Sequence, residues 1–237
     1  MGNTEDRNAE GYGSLVYTET SGRNDIMGAK IARDGQYVYF LVECVEDITP
    51  YTDKLWMNLY IDCDKENQGW NTFEFVVNKS AASADTLVLE KFTATDDYSS
   101  TVKIADVEYT LDGRYLTVKI PKSALELDDN GNDYTINFAW TDNVHDEGDY
   151  ENFSGDIMDF YISGDVAPGG RFKYSYISSD ENTGELPVIN TPVDNGEDTE
   201  PTQSQTKGGC ASYVDISVAV AAMVAIVFVF KKKEKED

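Results

Sequence analysis

The sequence predicts an all-β protein, and three observations carry that prediction. Short runs of alternating apolar and polar residues recur along the chain, separated by turn residues. Two Asp-Gly pairs, Asp34-Gly35 and Asp112-Gly113, sit between such runs. Asp-Gly there is a strong hairpin signal, because both central residues of the favoured turn take positive φ. No stretch of useful length has a helical period before the C-terminal tail. Together these describe an antiparallel β-sandwich or barrel.

The elements follow in order. Ile26–Arg33 and Gln36–Cys44 flank the first Asp-Gly, and Val102–Leu111 and Arg114–Ile120 flank the second. Further strands are expected over Leu55–Cys63, Thr72–Asn78, Thr86–Phe92, Tyr134–Thr141, Ile157–Ser163 and Phe172–Ile177. Pro121–Leu125 reads as one helical turn with proline at its first position. From about Asp180 to Gly209 the composition shifts to Pro, Thr, Asp, Glu, Asn and Gly, which reads as an extended, self-repelling stalk.

The most informative stretch is Leu55–Lys79, read as strand, acidic loop, tryptophan, strand. On a period of two, Met57, Leu59, Ile61 and Cys63 face a core, and Trp56, Asn58, Tyr60 and Asp62 face outward. Trp56 and Trp70 bracket the loop, and an outward indole suits stacking on the C–H face of a pyranose. Packing under a covering loop or a neighbouring domain is the competing role for either one. Trp140 shares a phase with Ile136 and Phe138, which is a core pattern. It also ends a strand beside Asp142 and Asn143, where a rim position opens. Within the loop, Asp62, Asp64, Glu66 and Asn67 bring hard oxygen ligands close together, the type Ca²⁺ takes, with a solvated turn as the alternative. The spacing is not that of an EF-hand.

Charge narrows the functions. The chain has 237 residues, 44 acidic against 19 basic, for a net charge of −25. Nucleic acid is excluded as a partner, because it needs a basic patch to release counterions. Catalytic motifs are absent: the sequence holds no Gly-x-Ser-x-Gly, phosphate loop or His-Glu-x-x-His. The single histidine, His145, lies in a loop and reads as a surface residue rather than a base. Zinc lacks His and Cys ligands at suitable spacing. Haem held by His145 with Met27, Met57 or Met158 ranks last, since Met57 sits on the inward phase. Cys44 and Cys63 fall on neighbouring strands, too far apart along the ladder to bridge, and are expected as buried thiols.

The C-terminus predicts a membrane anchor. Tyr213–Phe230 is nearly all apolar and Lys231-Lys232-Lys233 follow. At the helical rise its 18 residues span about 27 Å, enough for a thin hydrocarbon core. The lysines then lie in the cytoplasm and the rest outside the cell. MGNTEDRNAEGYGS has neither the basic nor the apolar part of a signal peptide, so the chain is expected to be the C-terminal piece of a longer exported protein. The expected division is a β-domain over 1–179, a stalk over 180–209, a transmembrane or sorting helix over 210–230 and a basic tail over 231–237.

Several blocks in order carry a family resemblance: Gly22–Ile26, Tyr37–Phe40, Ile48-Thr49, Trp56-Met57, Ile61–Asp64, Gly69-Trp70 and Val77-Asn78, then Leu111–Pro121, Asp142-Asn143 and Gly164–Pro168. Over roughly Asp6 to Tyr176 the chain resembles the DOMON-like domains related to family 9 carbohydrate-binding modules. The resemblance implies a jelly-roll-like antiparallel β-sandwich, here lacking its first strand, of the kind that rides on secreted polysaccharide-active enzymes. It also implies a sugar clamped between tryptophans and a structural Ca²⁺. Gly208-Gly209-Cys210 with the apolar run and lysines resembles bacterial C-terminal sorting signals. The reading is a non-catalytic carbohydrate-binding module at a bacterial cell surface, joined to an upstream catalytic module of the same polypeptide. Its expected sugar contacts are Trp56, Asn58, Tyr60, Trp70, Trp140, Asp142 and Asn143, and its expected metal ligands are Asp62, Asp64 and Asn67. The alternative is a structural domain that packs on the upstream enzyme and binds no sugar.

Overall fold

The computed structural model describes residues 8–10, 16–18, 21–64, 68–80, 82–127 and 133–178. The stalk, membrane helix and basic tail expected beyond residue 179, with Cys210, lie outside the described residues, as does Asn67.

The regular structure of the described chain is mostly antiparallel β-sheet, with two short 3-10 helices. The strands are β1 (Asn8–Glu10), β2 (Val16–Thr18), β3 (Ile26–Arg33), β4 (Tyr37–Cys44), β5 (Asn58–Asp62) and β6 (Phe75–Val77). They continue with β7 (Thr86–Phe92), β8 (Thr101–Asp112), β9 (Tyr115–Pro121), β10 (Thr135–Asp142), β11 (Asp165–Ala167) and β12 (Tyr174–Ile177). β1 and β2 pair with each other, while β3 to β12 form one sheet in the order β11-β10-β5-β6-β7-β8-β9-β4-β3. β12 joins the same edge of β10 as β11, further towards the start of that strand. The two ends of the path meet, because the backbone N–H of Ile26 on β3 donates to Oδ2 of Asp165 on β11. The sheet is thereby nearly closed, a barrel or sandwich-like wall around one core.

Both expected hairpins form, but their turns are built differently. Asp112 pairs with Tyr115, so the loop is Gly113-Arg114, and of these two Gly113 alone takes positive φ, at 56°. Glycine at the first central position is the type II′ arrangement. At Asp34-Gly35 neither residue takes positive φ. There the Asp34 carboxylate makes the turn, with Oδ1 accepting from the N–H of Gln36 and of Tyr37, both at 2.7 Å. The segment expected as a strand over 157–163 is instead a 3-10 helix, Ile157–Tyr161, whose first turn is capped by Asp156 accepting from Met158 N. Its apolar residues point sideways onto the sheet, which a short helix achieves as well as a strand. The turn after Pro121 forms as expected, a 3-10 helix over Lys122–Leu125.

The sheet encloses a main core that includes Phe40, Leu59, Ile61, Phe75, Phe138 and Trp140. A second apolar cluster lies on the opposite face of β5, β6, β10 and β11, built on Tyr60, Val76, Ala139 and Val166. The β5–β6 connection covers it with Trp70 and Phe73, the end of β7 with Phe92, and the 3-10 helix Ile157–Tyr161 with Phe160. These four strands are therefore buried on both faces, as the runs Tyr60-Ile61-Asp62 and Phe75-Val76-Val77 record.

Candidate functional site

The approach to β5 decides where its aromatic residues go. Leu55 and Met57 both have positive φ, at 53° and 35°. Two such residues within three break the two-residue alternation that begins properly only at Asn58. Trp56 therefore turns inward with Met57, Leu59 and Ile61 and is 2% exposed. Its Nε1 donates to the Thr49 carbonyl at 2.8 Å, and its ring meets Tyr109 edge-on at 6.0 Å. The expected outward indole is not formed.

Tyr60 does lie on the other phase, but that face is covered. Its hydroxyl hydrogen bonds that of Tyr98 at 3.2 Å, and its ring packs 5.4 Å from Trp70 and 5.5 Å from Phe160. Trp70 is the hub of this second cluster, stacked on Phe73 at 6.2 Å and edge-on to Tyr98 at 5.0 Å. Its Nε1 donates to the Gly155 carbonyl at 3.0 Å. Trp140 is fully buried in the main core. None of the three tryptophans forms the expected outward stacking platform: Trp70 and Trp140 are packing residues, and Trp56, 2% exposed, reaches only the edge of the cleft described below.

Asp142 and Asn143 hold the fold together at the end of β10. Asp142 is buried and accepts from Arg23 Nε at 2.7 Å, Asn24 Nδ2 at 3.0 Å and Met57 N at 3.0 Å. Asn143 takes positive φ, and its N–H donates to the Leu55 carbonyl at 2.9 Å. Burial raises the Asp142 carboxyl above its ordinary range, with the Arg23 guanidinium acting against it. Asp165 lies directly opposite Asp142 in the β10–β11 ladder. Burial, with Asp25 and Asp142 nearby, pushes its carboxyl up to about 8. These groups tie β3, the turn before β5 and β10 together, and neither Asp142 nor Asn143 lines the cleft described below.

The acidic loop is bound from within the chain. Asp62 Oδ2 accepts from Lys173 Nζ at 2.6 Å, and Oδ1 accepts from the Asp64 N–H at 2.7 Å. The ammonium of Lys173 sits where a hard cation would approach Asp62, and Asp64 is exposed. Among the described residues no group of three His, Cys, Asp or Glu side chains is arranged to hold a metal. His145 packs its ring 4.7 Å from Tyr150, with Nδ1 3.0 Å from the Asp146 carbonyl oxygen.

Two expected residues, Asn58 and Trp56, line a cavity, Trp56 with only a sliver of its surface. Asn58 lines a cleft of about 730 Å³, of the size that takes a small ligand. The segment Tyr51–Trp56 forms one wall, and the end of β6 with Asn78, Lys79 and Ser80 forms another. Tyr98 with Ser99 and Phe153 with Ser154 come in from two separate loops. The two amides are fixed by the backbone: Asn58 Nδ2 donates to the Asn78 carbonyl at 2.7 Å, and Asn78 Nδ2 donates to the Trp56 carbonyl. With each NH₂ turned inward, each amide oxygen remains an acceptor. Tyr98 is held by Tyr60 from below and by Phe153, edge-on at 4.8 Å, from the side. Burial raises the Tyr98 phenol to about 12, so it stays a neutral donor or acceptor. Aromatic walls, positioned amides and several hydroxyls can bind a neutral or charged polyol through stacking and directed hydrogen bonds.

Sequence reasoning missed Tyr51, Lys79, Tyr98 and Phe153 as lining residues. Asn78 was visible only as part of the block Val77-Asn78. Tyr98 and Phe153 come from loops far from β5 in sequence, and no local pattern marks them. Compared with known proteins, the chain matches no family model, no curated protein and no solved structure.

Proposed function

We propose that this chain is a non-catalytic carbohydrate-binding module whose ligand lies in the cleft between Tyr51–Asn58, Asn78–Ser80, Tyr98 and Phe153. The observation that carries the reading is the composition of that cleft: aromatic rings beside two amides whose acceptor oxygens are fixed by main-chain hydrogen bonds. Sugars present apolar C–H faces and many hydroxyl donors, and this lining complements both. The sugar contacts proposed are Asn58 and its new neighbours, in place of Tyr60, Trp70 and Trp140. The resemblance to DOMON-like, family 9-type modules of jelly-roll topology favours the same class. The apolar run Tyr213–Phe230 with its lysines favours a bacterial cell-surface protein anchored beyond an acidic stalk. An upstream catalytic module on the same polypeptide would supply the substrate context.

Affinity electrophoresis of the full chain through gels containing soluble polysaccharides tests the proposal. Retardation is expected on at least one glycan, and it should be lost in Asn58→Ala while the thermal midpoint stays within a few degrees. A variant this near the surface allows that separation of binding from folding. Unretarded migration in every gel would sink the proposal and favour a packing domain that binds no sugar.

A further inference from the structure

The charge of the cleft runs against the charge of the chain. Acidic residues outnumber basic ones by 44 to 19 overall, yet among its described residues the cleft is lined by Lys54, Lys79 and a single acid, Asp53. The carboxylates around the cleft keep their charge but are held by hydrogen bonds or an ion pair of their own, and the charges of Glu90 and Asp146 are felt at the Tyr98 phenol. Asp97 accepts from Ser99 N, Ser99 Oγ and Ser100 Oγ, folding its charge into its own turn. Glu90 accepts from Ser80 N at 3.0 Å and Thr101 Oγ1 at 2.9 Å. Glu151 is paired with Lys54 across two exposed side chains.

Lys79 is different. It is half-buried, and among the described residues its ammonium has no carboxylate within ion-pair distance. Its one hydrogen bond is a long one, 3.4 Å to Thr101 Oγ1, and that hydroxyl in turn reaches Glu90. The Nζ lies 5.0 Å from the centroid of the Tyr98 ring, which holds the charge at the aromatic wall. An ammonium has three donors, and two of these have no protein partner among the described residues. The rest of the surface repels anions, but at physiological salt that repulsion is screened beyond about 8 Å. A contact made within the cleft is therefore governed by its near neighbours.

Resting on the carbohydrate-binding reading above, we propose that the cleft selects an acidic saccharide, its uronic-acid carboxylate bound by Lys79 beside the ring of Tyr98. Asn58 and Asn78 then accept from the sugar hydroxyls. The ester keeps a carbonyl acceptor for the ammonium but not the opposite charge, so the acid gains the attraction of the ion pair at this single contact.

Calorimetric titration of the full chain with a panel of uronic-acid trisaccharides, each paired with its methyl ester, tests this. The ester keeps the sugar and removes the charge. At 0.15 M NaCl at least one acid should bind about tenfold or more tighter than its ester, a gap of about 1.4 kcal/mol. The gap should narrow at 1 M NaCl, close in Lys79→Gln and persist in Lys79→Arg. Esters that bind as tightly as acids, with Lys79→Gln unchanged, would overturn the selection for charge and leave glycan binding standing. If neutral polysaccharides retard the chain while no uronate or ester binds, the acidic-ligand inference alone fails. If nothing binds, both readings fail together.

Discussion

Arg23 Nε lies 2.7 Å from Asp142 Oδ2, joining the segment before β3 to the end of β10 across 119 positions of chain. Asp142 is fully buried and satisfies Asn24 and Met57 as well. Removing it leaves the half-buried Arg23 guanidinium without its carboxylate and takes a buried acceptor from Asn24 Nδ2 and Met57 N. Asp142→Ala is expected to cost about 3–5 kcal/mol of folding stability. Urea denaturation measures this, and a loss below 1 kcal/mol would show that the contact holds little.

The neighbouring Asp165 makes stability depend on pH. Its carboxyl is raised in the folded chain to about 8, first by burial and then by Asp25. Unfolded, it titrates near 3.9. Between those values the folded chain binds the proton and the unfolded chain does not, so stability falls as pH rises from about 4 to about 8. The loss from this group is on the order of a few kcal/mol. Asp165→Asn keeps an acceptor for Ile26 N and removes the titration. It is expected to gain on the wild type as pH is raised from 5 to 8. Parallel stability curves for the two proteins would contradict the assignment.

Trp70 unites the loops that cover the outer face of the sheet. It contacts Tyr60, Phe73, Phe92, Tyr98, Phe153 and Phe160 and is 1% exposed. Trp70→Ala is expected to destabilise by about 3–5 kcal/mol. It should also loosen Tyr98 and Phe153 and so lower affinity in the cleft, although Trp70 does not line it. Near-UV circular dichroism and glycan titration of the same variant report the two effects. An unchanged aromatic spectrum would argue against the hub role.

Cys44 and Cys63 are both buried and are not bridged to each other, as the strand phases predicted. Burial, with Asp142 and Asp165 nearby, raises the Cys44 thiol well above its ordinary value. Both thiols are expected to resist an aromatic disulfide reagent in the native protein and to react within minutes in denaturant. Fast native labelling of Cys44 would mean that the β3–β4 end opens readily.

Strand positions were legible in the sequence where alternation was regular. Tyr37–Cys44 and Tyr115–Pro121 form within a residue of the bounds expected, because buried and half-buried residues alternate along each and turn residues bound them. The period failed where the backbone left the β region. Positive φ at Leu55 and Met57 swung Trp56 into the core, and neither leucine nor methionine signals such a conformation. Ile157–Tyr161 misled for another reason: five residues with buried Asp159 and Phe160 fit a strand or a single helical turn equally well.

The sequence by itself determined the all-β class, most strands, two hairpins and two thiols, because these depend on local alternation and turn chemistry. It also named Asn58, whose outward phase on β5 the fold kept. Tertiary structure decided which outward residues met water. Tyr60 and Trp70 are covered because Tyr98, Phe153 and Phe160 from remote segments close over that face, and Asp142 is bound because Arg23 reaches it. The cleft was decided in the same way, by bringing Asn58, Lys79, Tyr98 and Phe153 together from four parts of the chain. A strand's period states which side a residue faces; only the packing of remote segments states what lies on that side.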